Sequence, residues 1–141
     1  MNTVGTEVRP GDILAGKYRV ERVLGRGGMG AVVQAHHLQL DEKVALKFLL
    51  PETLGNPEAV ARFDREARAA VRIKSEHVAR VSDVGRLETG APYMVMEYLE
   101  GVDLSGWLKQ SGPMPAEQAA EFVLQACEAI AEAHALGIVH R

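Results

Sequence analysis

The sequence predicts an α+β fold, in which an antiparallel sheet carrying one helix is followed by further helices. Three observations predict it. Alternating, strand-like stretches recur as far as Tyr98, and a glycine cluster, Leu24-Gly25-Arg26-Gly27-Gly28-Met29-Gly30-Ala31-Val32, lies between the first two of them. The longest helical pattern, alanine-rich from Ala116 to Leu136, comes near the end.

Composition bounds the answer. With 141 residues one domain is the default, long enough to bury a core but at the lower end for a two-lobed enzyme. Hydrophobic residues make up 47% and charged residues 25%, as in an ordinary soluble globular chain, and the net charge of -3 argues neither for nucleic acid nor for a membrane surface as partner. The single cysteine, Cys127, excludes an internal disulfide framework and suits a reducing compartment. No stretch approaches the roughly 18 apolar residues of a spanning helix, and the N-terminus lacks a basic-then-apolar signal pattern. The expected location is cytoplasmic.

In chain order, residues 1–17 are polar and punctuated by Gly and Pro; they read as a flexible arm from which Ile13 and Leu14 can dock. Tyr18 to Leu24 alternates as a first strand. Ala31 to His37 suits helix or strand by propensity, and strand is preferred because Asp41-Glu42 then turns the chain into Lys43-Val44-Ala45-Leu46-Lys47-Phe48-Leu49. Asn56-Pro57-Glu58 is a helix start, with a capping residue, proline in the first turn and an acid beside it. Val60, Phe63, Ala67, Ala70 and Val71 mark that helix's apolar face. Val78 to Val84 reads as a fourth strand, and Glu88-Thr89-Gly90 as the turn before Pro92-Tyr93. A short helix lies around Leu104 to Lys109. The long helix should bury Phe122, Val123, Ala126, Ala129, Ile130 and Ala133 and stop at Gly137.

Glycine reaches conformations closed to other residues and lets backbone N–H groups approach a bound group, so the cluster can lie over phosphates. Gly25-x-Gly27-x-x-Gly30 taken alone also fits a dinucleotide-binding turn or an ordinary glycine-rich turn. Lys47 taken alone fits a solvent-facing strand lysine. Its alternate neighbours Ala45 and Leu49 are apolar, however, which puts it on the buried face, where an ammonium needs an anion. A phosphate beneath the glycine loop is one candidate, and Glu66 on the next helix is the other. Glu66 equally fits a surface pair with Arg62 at i,i+4. His36 and His37 are adjacent on a strand and point to opposite faces, so they cannot chelate one metal together; no His/Cys spacing suggests zinc. Cys127 and His134 read as packing residues.

The order of glycine loop, strand, turn, Ala45-x-Lys47 strand and glutamate-bearing helix resembles the signature of protein kinases. Tyr93-Met94-Val95-Met96-Glu97-Tyr98-Leu99-Glu100-Gly101 resembles their fifth strand and hinge, and Ala135-Leu136-Gly137-Ile138-Val139-His140-Arg141 the approach to the catalytic loop. Gly27-Gly28-Met29-Gly30, Phe63-Asp64-Arg65-Glu66-Ala67 and the Val-Met-Glu-Tyr run are similar to bacterial Ser/Thr kinases of the eukaryotic-like type. The resemblance covers Tyr18 to Arg141. It departs at Ser75-Glu76-His77, where relatives carry a His-Pro-Asn run, a structural turn away from the chemistry.

The resemblance implies a kinase small lobe over 18–98, with a five-stranded antiparallel sheet and one regulatory helix. Residues 99–141 would then be the hinge and the truncated start of a large lobe. It further implies that the loop from Leu24 to Val32, through the amides of Gly25 to Gly30, covers the phosphates of ATP, with Met29 at its tip. Lys47 would hold the α- and β-phosphates and pair with Glu66. Val32 and Ala45 would pack on the adenine, Met96 would stand as gatekeeper, the backbone at Glu97 and Leu99 would meet the adenine edge, and Asp103 would approach the ribose. By the residues alone, Met96 fits a strand core and Asp103 a helix cap.

In the family, the His-Arg pair, here His140-Arg141, precedes the aspartate that accepts the substrate hydroxyl's proton, then an asparagine and an Asp-Phe-Gly aspartate that hold Mg2+. None of these lies within the 141 residues, so the chain holds no metal ligands and is expected alone to have no useful kinase activity. The long helix is expected to leave an apolar patch exposed. The implied cofactors are ATP and Mg2+, and the implied partners are protein substrates. The alternative is a non-catalytic nucleotide-binding or kinase-docking module. A nicotinamide-dependent oxidoreductase would need the glycine turn to open a helix on a parallel sheet, and Ala45-Leu46-Lys47 and the hinge run argue against that.

Overall fold

A computed structural model describes residues 7–27 and 30–140. Among them are six strands and three α-helices, the α+β class that the alternation predicted: β1 (Ile13–Leu14), β2 (Tyr18–Arg26), β3 (Gly30–His37), β4 (Glu42–Leu49), α1 (Pro57–Arg72), β5 (Val81–Arg86), β6 (Pro92–Glu97), α2 (Leu104–Ser111) and α3 (Ala116–Ala135), with a short 3-10 turn at Pro51–Thr53. The chain divides into two units, one running up to Arg72 and resuming at Arg80–Tyr98, the other combining Ile73–Ala79 with the residues from Leu99 onward.

The first unit is built on one antiparallel sheet in the order β1-β2-β3-β4-β6-β5. Five strands were expected; the sixth is β1. Ala15 and Gly16, both at positive φ, reverse the chain in two residues, and the Lys17 N–H closes the turn on the Leu14 carbonyl at 3.0 Å. Part of the polar arm is thereby a sheet edge, with Leu14 buried and Val8 packed against the core. The β3–β4 connection closes on Asp41, whose short polar side chain tolerates its φ of 53°.

Strand alternation sorts the sheet's side chains to two faces. One face buries Tyr18, Val20, Val33, Ala35, Val44, Leu46, Phe48, Tyr93 and Val95. Tyr18 meets the Tyr93 ring edge-on at 6.0 Å, and burial, followed by Tyr93 and Asp83, pushes its phenol up to about 12. The opposite face carries α1, whose Phe63 and Ala67 pack with Leu49, Val81 and Met94. The start of α1 is as expected: the Asn56 side chain accepts from the Glu58 and Ala59 N–H groups, with Pro57 at the first helical position. Its apolar face is rotated slightly from the prediction, with Ala59 buried and Val71 exposed.

Two expectations need correction. The fourth predicted strand begins at Val81, not Val78, because Ile73–Ala79 is drawn into the second unit. There the Glu132 carboxylate of α3 accepts from the Lys74 N–H at 2.6 Å and the Ser75 N–H at 2.8 Å, while His77 Nε2 lies 3.0 Å from Glu128. This contact also explains the second correction. Of the six residues expected on the buried side of α3, only Ala129 and Ala133, next to Glu128 and Glu132, are buried, whereas Phe122, Val123, Ala126 and Ile130 are exposed. Helix α3 ends as predicted at Gly137, at φ 79°: the Gly137 N–H donates to the His134 carbonyl and the Ile138 N–H to that of Ala133, which closes the end with the paired bonds of a Schellman cap.

Glu132 supplies two charge-assisted bonds to one loop, so Glu132→Ala is expected to cost about 2 kcal/mol, read by denaturant unfolding, with Glu132→Gln losing less. Hydrogen exchange provides the local check. The Lys74 and Ser75 amides should lose protection in the alanine variant, and unchanged protection there would show that Glu132 does not hold the loop.

Candidate functional site

Val32, Ala45, Lys47 and Met96 lie on the α1 side of the sheet, whereas Ala31 and Glu97 pair with Phe48 and Val44 of the opposite face. In the register, Lys47 of β4 stands between Val32 of β3 and Met94 of β6, and Ala45 stands between Gln34 and Met96. Cross-strand partners share a face. Val32, Lys47 and Met94 therefore form one row, and Ala45 and Met96 belong to the next. Ala45 and Leu49 are buried as the alternation required, and Lys47 between them is half-buried.

A cavity of about 80 Å³ collects the chemistry. It is lined by Gly30, Lys47, Phe48, Leu49, Ala59, Arg62, Phe63 and Glu66. The end of the glycine loop, the strand lysine and the helix glutamate, separated in sequence, thus border one space. Glu66 is exposed at its rim. Among the described residues neither a Lys47–Glu66 nor an Arg62–Glu66 ion pair is formed, so the cavity presents two cations and one carboxylate to whatever enters it. The sequence pointed to Arg62 only as a surface partner of Glu66; its place at the cavity comes from its position one turn before Glu66.

The glycine loop leaves β2 late. Leu24, Gly25 and Arg26 are still in the strand, with Gly25 opposite Val32 and Arg26 opposite Ala31, after a bulge between Val23 and Gly25. The Gly27 N–H donates to the Gly30 carbonyl at 2.8 Å and narrows the loop. Gly28 and Met29, the expected loop tip, lie outside the described residues, as does Arg141. Among the described glycines of the loop, Gly30 is sterically constrained: a Cβ there would stand 2.7 Å from the Phe48 carbonyl oxygen, whereas one on Gly25 would meet nothing within 4 Å. Ala31 is buried beside it.

At the far end of the row, Met96 is half-buried and Glu97 exposed. The Glu97 N–H donates to the Arg80 carbonyl at 2.9 Å, and its carboxylate accepts from the Arg80 N–H at 2.9 Å. Leu99 and Asp103 belong to the second unit. Leu99 is exposed there, and Asp103 caps α2, its Oδ1 accepting from the Gly106 N–H at 2.7 Å. His140 is exposed. Gathered clusters of three or more His, Cys, Asp or Glu side chains suited to a metal ion are absent among the described residues.

The end of the glycine loop, the lysine strand and the glutamate helix thus meet at one cavity of the first unit. The protein kinase domain family matches residues 18–141, and the chain belongs to it. Its relatives include bacterial serine/threonine kinases. It is 40% identical over 141 residues to the serine/threonine-protein kinase pkn3 of Myxococcus xanthus, covering all of this chain and 26% of that protein. To PknB of Mycobacterium leprae it is 39% identical over 131 residues, covering 91% of this chain and 21% of that one. The crystal structure of the Mycobacterium tuberculosis PknI kinase domain superposes with a TM-score of 0.79 at 31% identity, covering 96% of this chain and 54% of that domain. The chain thus spans about a quarter or less of the curated relatives and about half of a solved kinase domain. No helix among the described residues is long and apolar enough to cross a membrane.

Proposed function

We propose that this chain is the ATP-binding N-terminal part of a serine/threonine protein kinase, whose complete domain transfers the γ-phosphate of ATP to protein hydroxyls in the cytoplasm. The single observation that carries the reading is the cavity shared by Gly30, Lys47 and Glu66. The loop amides from Gly25 to Gly30 approach the phosphates, and Lys47 neutralises the α- and β-phosphates and pairs with Glu66 as the nucleotide settles. Val32 and Ala45 cover the adenine, Met96 bounds its pocket, the backbone of Glu97 and Leu99 reads the base edge, and Asp103 reaches the ribose. Mg2+ would supply charge neutralisation at the phosphates, and the asparagine and Asp-Phe-Gly aspartate that hold it in the family have no counterpart among the 141 residues.

Transfer also needs a base to orient the hydroxyl. His140 and Arg141 lead to that base in the family, but the 141 residues contain neither it nor an Asp-Phe-Gly aspartate. The reading therefore separates binding from turnover. Titration of this chain with a fluorescent ATP analogue is expected to saturate, while incubation with radiolabelled ATP and a generic protein substrate yields no phosphoprotein; a version extended through the catalytic loop and the Asp-Phe-Gly segment restores transfer. A folded chain that ignores millimolar ATP would overturn the reading in favour of a kinase-docking module, for which the exposed Phe122, Val123 and Leu124 of α3 offer a surface.

A further inference from the structure

The backbone at Glu97 can present its polar groups in a fixed direction only if the end of β6 is held in place. Two clamps do so from opposite edges. On the β5 edge, Arg80 exchanges the two hydrogen bonds with Glu97 described above. On the other edge the contact crosses two strands: Arg22 of β2 donates from a terminal nitrogen to the Tyr98 phenol oxygen at 2.9 Å, joining residues 76 positions apart.

The guanidinium is itself oriented. Its Nε donates to Gln34 Oε1 at 2.8 Å, and the Gln34 amide nitrogen donates to the Glu21 carboxylate. Gln34 is the one polar side chain buried with the core among the described residues, so its amide is a fixed reference, not a mobile surface group. Gln34 also stands opposite Ala45, which in turn faces Met96. The Tyr98 ring has a second constraint in the Lys43 ammonium, 5.1 Å from its centroid.

We propose that Arg22, set by Gln34, is a positioning residue that acts through Tyr98 on the adenine-reading backbone of Glu97. The inference rests on the ATP reading above. Arg22 is exposed and Tyr98 half-buried, so their bond adds little to the stability of the fold. What it restricts is the residue adjoining the carbonyl that meets the base. A planar fork donating at once to an amide and a phenol is a task that lysine cannot repeat.

The test compares Arg22→Met, Tyr98→Phe and the double variant with the wild-type chain, by competition of ATP and of GTP against a fluorescent ATP analogue. Each single variant is expected to lose about threefold in ATP affinity with GTP affinity unchanged, because only the base edge is misread. The double variant should lose no more than either single one, since both remove the same bond. The thermal midpoint should stay within about a degree of the wild type. Equal losses for ATP and GTP, or losses that add in the double variant, would overturn the assignment, as would variants that bind like the wild type. A wild-type chain that binds no ATP would instead remove the nucleotide reading, and this inference with it.

Discussion

Lys47→Met is expected to abolish phosphoryl transfer by the completed domain and to weaken ATP binding by this chain about tenfold or more, while the protein remains folded. The ammonium sits half-buried in a row with Val32 and Met94 and borders the cavity that also meets Gly30 and Glu66. A hydrogen bond to a charged group is worth about 1.5–3 kcal/mol, which corresponds to roughly ten- to a hundredfold in affinity. Methionine keeps the unbranched length and suits the apolar row, so the stability readout should not fall. Glu66→Gln should lower turnover less, because the lysine still reaches phosphate when its partner is neutral. Calorimetric titration with ATP, beside thermal unfolding, separates these effects. Unchanged affinity in Lys47→Met would remove the lysine from the site, and unchanged turnover in Glu66→Gln would leave that residue as a surface group of α1.

The second large effect is structural and distinguishes glycines that the sequence pattern treats alike. Gly30→Ala is expected to destabilise the first unit by about 1–3 kcal/mol and to lower the thermal midpoint by about 5 °C. The new Cβ would meet the Phe48 carbonyl oxygen at 2.7 Å, and that backbone cannot retreat: Phe48 is paired with Ala31 on one side and Tyr93 on the other, and its ring is buried in the core. Gly25→Ala faces open space and should leave the stability within about half a kcal/mol of the wild type, since the position is extended strand. Any loss of ATP affinity in Gly25→Ala then reports on the loop's approach to phosphate and not on folding. Equal midpoints for the two variants would show that the β3–β4 ladder yields to the added methyl group.

The relation between sequence and structure follows from how local each signal is. Features carried by a few neighbouring residues were legible: Asn56 and Pro57 opening α1, Gly137 closing α3, Asp103 capping α2, and the alternation that put Lys47 on the same face as buried Ala45 and Leu49. The strand-like stretch from Val78 misled, because the chain is still turning there, with the Val78 N–H closed on the Ser75 carbonyl. The register that brings Gly30 against Phe48, the cavity that adds Arg62 to Lys47 and Glu66, and the docking of Ile13–Leu14 as a sixth strand all depend on which strands become neighbours.

The sequence by itself determined the α+β class, the order of the elements and the resemblance to protein kinases, because side-chain periodicity and caps act over one or two turns and the motifs are contiguous. Only the tertiary structure decided that Glu132 captures Lys74 and Ser75, that Gln34 is buried as a polar reference, and that Arg22 reaches Tyr98. Each of these joins groups whose separation along the chain says nothing about their distance in space. They form only once packing of the apolar faces has brought the strands and helices together.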